Sequence, residues 1–265
     1  MFEDAYSRFY SSTRNLLQLV EGSLTLPDEE LYREWLDVLG PPPLALYEVG
    51  SGKGRMVTYL ASLGFSCRAT EITSERGKSQ VQSESGVSWN NSDGVHLERF
   101  ESESSYDVVL SDQVVEHIHP EDAARHLRGA LAILKPGGRY IFRTPYALFG
   151  PWDITRVMGG EEPAGLHLRE YNYQDIVPLL KQAGFTEVRA VFSLPKNRSY
   201  QLSGLLGRIG IRWTPRARAS SLYLMYILLL ESILTLVPGN RLRRKAASLL
   251  RFVLLPSSVF ISARK

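Results

Sequence analysis

The 265-residue chain has one cysteine, Cys67, which excludes an internal disulfide and any metal site built from several thiolates. Met1-Phe2-Glu3-Asp4 lacks the basic and apolar regions of a secretory leader, so the expected location is cytoplasmic. No internal repeat or low-complexity tract is present. Acidic residues are nearly missing from one stretch: residues 195–265 hold 13 Lys and Arg against the single acid Glu231, while residues 1–194 hold 18 basic and 27 acidic residues. That split implies an anionic neighbour for the C-terminal segment, whether a phospholipid surface, a phosphorylated substrate or nucleic acid, unless the basic face serves solubility alone. With 44% hydrophobic and 22% charged residues, the length suits one α/β domain with appended pieces.

The most informative feature present is Tyr47-Glu48-Val49-Gly50-Ser51-Gly52-Lys53-Gly54-Arg55, which follows the apolar run Leu44-Ala45-Leu46. A strand, a turn of alternate glycines and a helix start in succession let main chain approach a nucleotide-like ligand. Glycine tolerates positive φ and leaves room for a carboxylate, ribose or phosphate. Spacing alone is weak evidence, because such a loop also serves merely to join a strand to a helix. A missing residue is again telling: Arg55 stands where the dinucleotide fingerprint needs its last glycine, so a hydride-transfer cofactor fits poorly.

Asp28-Glu29-Glu30 place negative charge at the start of a helix that Gly40-Pro41-Pro42-Pro43 ends, which makes residues 1–43 an N-terminal helical cap. From residue 44, strand-like runs at 44–49, 66–72, 86–91, 106–111, 138–144 and 185–193 alternate with helical stretches near 54–64, 75–84, 121–134 and 172–183. The alternation predicts a doubly wound parallel sheet with ligands at the carboxyl ends of its strands. Residues 44–194 form this core, 195–256 an apolar and basic helical insertion, and 257–265 a final strand that returns antiparallel. Glu71, 17 residues beyond Gly54, is the best candidate for holding a ribose diol; Asp93 could accept from an exocyclic amine or could simply form an Asp-Gly turn.

Two further motifs follow in order, Tyr106-Asp107-Val108-Val109-Leu110-Ser111-Asp112-Gln113-Val114-Val115-Glu116-His117 and Leu134-Lys135-Pro136-Gly137-Gly138-Arg139-Tyr140-Ile141-Phe142. With Glu48 and the glycines, they closely resemble the class I S-adenosylmethionine-dependent methyltransferases, particularly the branch containing ubiquinone-biosynthesis-like enzymes, over roughly residues 44–194. The resemblance implies a Rossmann-like sheet of seven strands with the last one reversed, and S-adenosylmethionine as cofactor. It implies that Glu48, Gly50 and Gly52 handle the methionine end, Glu71 the ribose and Asp93 the adenine. Ser51, Gly54, Ile72, Gly94, Ser111 and Gln113 complete the expected cofactor-binding set. The Asn/Asp-Pro-Pro-Tyr motif of adenine-amino methyltransferases is absent after the fourth strand, which argues against DNA adenine as acceptor.

Methyl transfer from a sulfonium needs alignment and removal of the acceptor proton. His117 and His119 follow the fourth strand, and histidine titrates near working pH. Spaced by two, they cannot both point the same way on a helix. His117 is the first candidate base or substrate ligand, with packing or capping as the alternative. His167 corresponds to a histidine often found over the acceptor pocket of the resembling enzymes and is the second candidate. Some enzymes of that branch hold a divalent metal with acidic residues and a histidine here; this chain offers Gln113, Glu116 and His117, and a neutral amide weakens a hard-cation site, so no metal is expected. The expected reaction is methylation of a hydroxyl on a small, lipid-linked or saccharide-like metabolite. A non-catalytic cofactor-binding or membrane-associated interaction protein, or a tRNA methyltransferase, is the alternative.

Within the insertion, Leu222 to Val237 is apolar on nearly every helical face for its first half. It is short for a span, and Glu231 near its centre would cost roughly 2.5 to 3.5 kcal/mol in a bilayer. A helix lying in the interface at the inner membrane face, with Arg212, Arg216, Arg218, Arg241, Arg243, Arg244 and Lys245 meeting anionic headgroups, keeps the last strand in place. The other reading is a buried hairpin packing on the domain or on a second subunit. Nucleic acid is disfavoured because the basic residues interleave with aliphatic rather than stacking aromatic side chains.

Overall fold

The computed structural model describes residues 28–73, 86–156, 160, 163, 165–193, 208, 216–251 and 255–265. Residues 1–27 of the expected cap, the helix expected near 75–84 and nearly all of 194–215 lie outside the described residues. In chain order the elements are helix α1 (Asp28–Leu39), strand β1 (Ala45–Val49), α2 (Arg55–Ser62), β2 (Ser66–Glu71), β3 (Val87–Asn91) and β4 (Tyr106–Asp112). They continue as α3 (Ala123–Ile133), β5 (Leu134–Pro145), α4 (Tyr173–Ala183), β6 (Glu187–Phe192), β7 (Arg218–Ser220), α5 (Ser221–Thr235), α6 (Asn240–Arg251) and β8 (Ser258–Arg264).

The strands form one sheet in the order β3-β2-β1-β4-β5-β8-β6-β7. β1 pairs in parallel with both β2 and β4, so the chain reverses its direction of winding at β1 and opens a crevice beyond its carboxyl end. β8 enters antiparallel between β5 and β6, as the resemblance implies. The sheet has one strand more than expected, because Arg218–Ser220 of the insertion pairs antiparallel with the edge strand β6. Three residues within a long connection give no period-two signal of their own. β5 also begins four residues ahead of the expected 138–144, with a register shift opposite Tyr106/Val108 where Lys135-Pro136-Gly137 bulges out.

Strand alternation sends successive side chains to opposite layers. Tyr47, Val109, Tyr140 and Phe142 join α3, α4 and α5 on one face, while Leu46, Leu110, Ile141 and Phe260 join α1 and α2 on the other. α1 buries Tyr32, Trp35, Val38 and Leu39, which recur at helical spacing, and its C-terminal carbonyls at Val38 and Leu39 accept from the Arg139 guanidinium at 2.8 and 2.7 Å. No described helix is long and apolar enough to cross a membrane.

Glu231 has a different task from the one its sequence surroundings suggest. It is buried, and its carboxylate accepts from the Tyr146 hydroxyl at 2.5 Å and from the backbone N–H groups of Tyr173 and Gln174 at 2.9 and 2.8 Å. Those two amides open α4, so the acid of α5 caps a neighbouring helix and meets its positive end. Glu231→Ala should therefore lower unfolding free energy by on the order of 3 kcal/mol in urea titrations, since it strands three buried donors, and Glu231→Gln by clearly less. Equal stability of the Ala variant and the parent would contradict this account.

Candidate active site

Three glycines of the turn after β1 have positive φ, Gly50 at 68°, Gly52 at 58° and Gly54 at 76°. At Gly50 a Cβ would lie 2.7 Å from Val114 Cγ2, so only hydrogen fits where this turn passes the loop after β4. The turn is latched to β2: Ser51 N donates to Thr70 O at 2.8 Å, Thr70 N to Ser51 Oγ at 2.9 Å, and Thr70 Oγ1 to Glu48 O at 2.7 Å. Gly52 N donates to Glu71 Oε1 at 2.7 Å.

The turn floors a cleft of about 640 Å³ at the carboxyl ends of the strands. Of the residues expected from sequence, Glu48, Gly50, Ser51, Gly52, Glu71, Ile72, Asp93, Gly94, Gln113 and His117 line it. Gly54, Ser111 and His167 do not. Gly54 is the N-cap of α2, and Ser111 is fully buried on the opposite side of β4. A chain of bonds gives Ser111 its place: its hydroxyl meets Tyr140 Oη at 2.8 Å, Tyr140 Oη meets His126 Nε2 at 2.7 Å, and His126 Nδ1 donates to Gly94 O at 2.6 Å. Burial pushes His126 down to about 4, so the ring is neutral near pH 7, with Nδ1 carrying the proton and Nε2 accepting from tyrosine. Ser111 thus supports the Asp93-Gly94 wall from behind instead of facing the cleft.

The cleft is acidic at its base. Glu48 is buried, and its Oε2 has no hydrogen-bond partner. Desolvation, aided by the negative charge of Asp112, pushes its carboxyl up to about 8. Glu71 is also raised by burial, although the amides of Gly52 and Ile72 favour its ionised form. Asp93 shapes its own turn: Oδ1 accepts from Val95 N and His96 N at 2.8 and 2.7 Å, and Oδ2 meets His96 Nδ1 at 2.8 Å.

Three contributors to the cleft, Leu31, Tyr32 and Asp112, lie outside the site residues expected from sequence. Leu31 and Tyr32 of α1 close one side. Asp112 is gripped by Arg143, with Nε to Oδ1 at 2.9 Å and Nη2 to Oδ2 at 2.6 Å, and Arg143 also lies over the rings of Trp35 and Phe260. Gln113, next in sequence, is one of two non-glycine residues with positive φ among those described, at 59°. Its N donates to Arg143 O at 2.9 Å, holding a backbone conformation that costs energy in a loop that faces the cleft.

Beyond Gln113 the chain makes a tight 3-10 turn, Val115–His117, that sends His117 to the cleft, while His119 Nδ1 turns back to accept from Glu121 N. Leu168 N and Arg169 N donate to Glu116 O at 2.8 and 3.1 Å, which docks the 166–169 segment here and brings His167 to His117 with ring centroids 5.1 Å apart. Each ring is oriented through Nδ1: His117 donates to Leu166 O at 2.9 Å, and His167 meets Glu170 Oε1 at 2.8 Å. Burial opposes protonation of His167, but the bond to Glu170 and the charges of Glu116, Glu170 and Asp153 outweigh it and raise the ring's pKa. Glu116 lies below them, fully buried, with Oε2 accepting from Thr144 Oγ1 at 2.8 Å and Oε1 unpartnered; desolvation pushes it up to about 7. Among the described residues Glu116, His117 and His167 form the one cluster with metal-ligand spacing, their ligand atoms within 4.8 Å of one another. Sequence reasoning weighed Gln113 in this set and did not foresee His167 joining it.

A family model described as a methyltransferase domain matches residues 47–142. Over those residues the chain is similar to a methyltransferase domain. No curated protein matches significantly. Among solved structures, a possible histamine N-methyltransferase from Thermotoga maritima is 17% identical with a TM-score of 0.56, over 97% of this chain and 99% of that one. An S-adenosylmethionine-dependent methyltransferase from Mesorhizobium loti is 16% identical, TM-score 0.55, over 90% and 98%. Phosphoethanolamine N-methyltransferase 2 of Haemonchus contortus, solved with S-adenosylmethionine, is 17% identical, TM-score 0.52, over 89% of this chain and 51% of that one. At these identities the likeness establishes the fold.

S-adenosylmethionine is the cofactor expected of such a domain, and the cleft suits it. The unpartnered Glu48 Oε2 at its base is an acceptor lacking a donor, which the ammonium of the methionine end would supply. Because the folded Glu48 carboxyl titrates well above its unfolded value, the apo fold loses stability as pH rises from about 4.5 through about 8. The gain in stability of Glu48→Gln over the parent should therefore be larger at pH 8.5 than at pH 5.5, by on the order of 3 kcal/mol in thermal or urea unfolding without cofactor. A pH-independent difference would show that Glu48 is not held neutral.

Proposed function

We propose that this methyltransferase methylates a hydroxyl of a small, lipid-linked or saccharide-like acceptor, with His117 and His167 at the acceptor end of the cleft. The observation that carries this reading is the facing pair of imidazoles, each fixed through Nδ1 and set over a buried carboxyl. The two named neighbours are described as N-methyltransferases, and at 17% identity their acceptors do not transfer to this chain. An amine attacks as a neutral base once it has lost its ammonium proton, whereas a hydroxyl needs a group to take its proton as its oxygen attacks. A fixed histidine in the cleft serves the second case.

On the cofactor side, Glu48, Gly50, Ser51 and Gly52 receive the methionine end, with the glycines admitting it against main chain. Glu71, at the end of β2, holds the ribose diol through its carboxylate oxygens, and Ile72 packs beside it. Asp93 and Gly94 receive the adenine edge; Asp93 Oδ2, which meets His96 Nδ1 in the turn, has a second acceptor site for it. Gln113 walls the cleft between cofactor and acceptor. When bound, S-adenosylmethionine supplies a methyl group already activated by its sulfonium.

The residues then need to align the acceptor and take one proton. His117 Nδ1 donates to the Leu166 carbonyl, so in the neutral ring the lone pair is on Nε2, which receives the hydroxyl proton. His167, tied to Glu170, positions that ring and, in its protonated form, favours the ionised form of Glu116.

Radiolabel transfer from S-adenosylmethionine should be assayed against free sugars, polyprenyl-phosphate-linked sugars, phenols and matched amines. A hydroxyl compound should be the acceptor, and His117→Ala should lower kcat about 10²- to 10⁴-fold with cofactor affinity unchanged. Labelling of amines alone, or full turnover without His117, would refute the assignment. Separately, Glu71→Ala should weaken S-adenosylmethionine binding about 10- to 100-fold in calorimetry, the effect of losing charge-assisted bonds to two hydroxyls. Unchanged affinity would remove Glu71 from the ribose site.

A further inference from the structure

The α5–α6 hairpin turns an ordered face outward. Leu224, Ile227, Glu231 and Leu234 of α5 are buried on the domain. On its other side Leu222, Met225, Leu229, Ile233 and Leu236 are 79, 66, 60, 50 and 81% exposed. Their spacings of three, four, four and three residues make one continuous stripe along the helix. α6 is fastened to the end of α5 through Arg243, whose guanidinium donates to the carbonyls of Leu234, Thr235 and Val237. It adds Leu242 and Leu249, 53 and 77% exposed and two turns apart, together with Arg241, Arg244 and Lys245.

We infer that this hairpin docks the methyltransferase on an anionic lipid bilayer, α5 lying in the interfacial plane with its stripe among the acyl chains and α6 placing its cations at the phosphates. Single exposed apolar residues are ordinary on a protein surface, but a stripe of five along one helix with two more exposed leucines on the next is not. The charges select the occupant. Glu231, the sole acid between residues 195 and 265, is spent inside the fold on Tyr146 and the start of α4. The hairpin therefore shows its partner cations and no carboxylate. A bilayer rich in acidic phospholipid complements both features at once.

The same features count against the other occupants. A two-fold contact between copies would set two such cationic helices near each other with no carboxylate in either to compensate. The stripe is wholly aliphatic and thioether, so it gives a nucleic acid no ring on which to stack. Spanning is excluded by length, since the 15 residues of α5 rise about 22 Å against a hydrocarbon core of about 30 Å. It is also excluded by the pinned position of Glu231. Docking in the plane leaves β8 in register between β5 and β6. The inference stands apart from the acceptor assignment, because it concerns a surface that shares no residue with the cleft.

The full-length protein should be floated on density gradients with vesicles of phosphatidylcholine alone and with vesicles containing 30% phosphatidylglycerol, at low and high salt. Recovery should rise about tenfold or more with the anionic vesicles and fall with salt. The double variant Met225→Asp/Leu229→Asp should lose flotation while keeping its melting temperature and its affinity for S-adenosylmethionine. Arg241→Glu/Lys245→Glu should lose the preference for anionic vesicles. If the aspartate variant misfolds, Met225→Ser/Leu229→Ser replaces it, with the same expected loss. Equal recovery on both vesicle types, no flotation at all, or flotation unchanged by the stripe variants overturns the inference. So does a dimer in light scattering that the stripe variants dissociate, which would assign the face to a second copy, or RNA retention without flotation.

Discussion

The site depends first on how the β1 turn is tied to β2. Four hydrogen bonds among Glu48, Ser51, Gly52, Thr70 and Glu71 join the two strand ends where the ladder itself stops. The tie fixes three backbone conformations that glycine alone adopts without strain, and it aims the Glu71 carboxylate along the same rim. Every other wall is referenced to this rim. Val114 fills the space left by the missing Cβ of Gly50, which sets the β4 loop, and the β4 loop in turn carries Gln113, Glu116 and His117.

Burial of acids is the second theme, and it takes three forms. Glu231 is satisfied by three donors and acts as mortar. Glu48 and Glu116 each keep one oxygen without a donor, and desolvation holds both near neutrality. An incompletely satisfied buried carboxyl works against stability, so its presence beside a cleft is what a ligand-binding protein shows where local rules are set aside for function. Asp112, partly exposed, has both oxygens paired with the Arg143 guanidinium.

What sequence could reveal followed the range of its signals. Strand and helix alternation and the glycine turn are local patterns, and they located the sheet and its reversed last strand, while the family resemblance added to them in marking ten residues that line the cleft. Tyr32 and the Arg143–Asp112 grip were hidden because their partners sit tens of residues away and are set by packing. Ser111 misled for the opposite reason: it stands in a cofactor motif, but strand alternation turns it into the core towards Tyr140. Glu231 misled through its neighbours, since an acid in an apolar run reads as a cost until the backbone amides it meets are known. His167 was legible as a residue, whereas its contact with His117 required the 166–169 segment to be laid across Glu116.

Arg143 binds distant parts of the chain into one unit. Its guanidinium reaches Asp112 and Glu34 while covering Trp35 of α1 and Phe260 of β8, and those two rings touch at 4.9 Å. One guanidinium thus joins Asp112 of the cleft wall to the first described helix and to the last strand, so a change at Phe260, far along the chain from the glycine turn, is felt at the rim of the cleft.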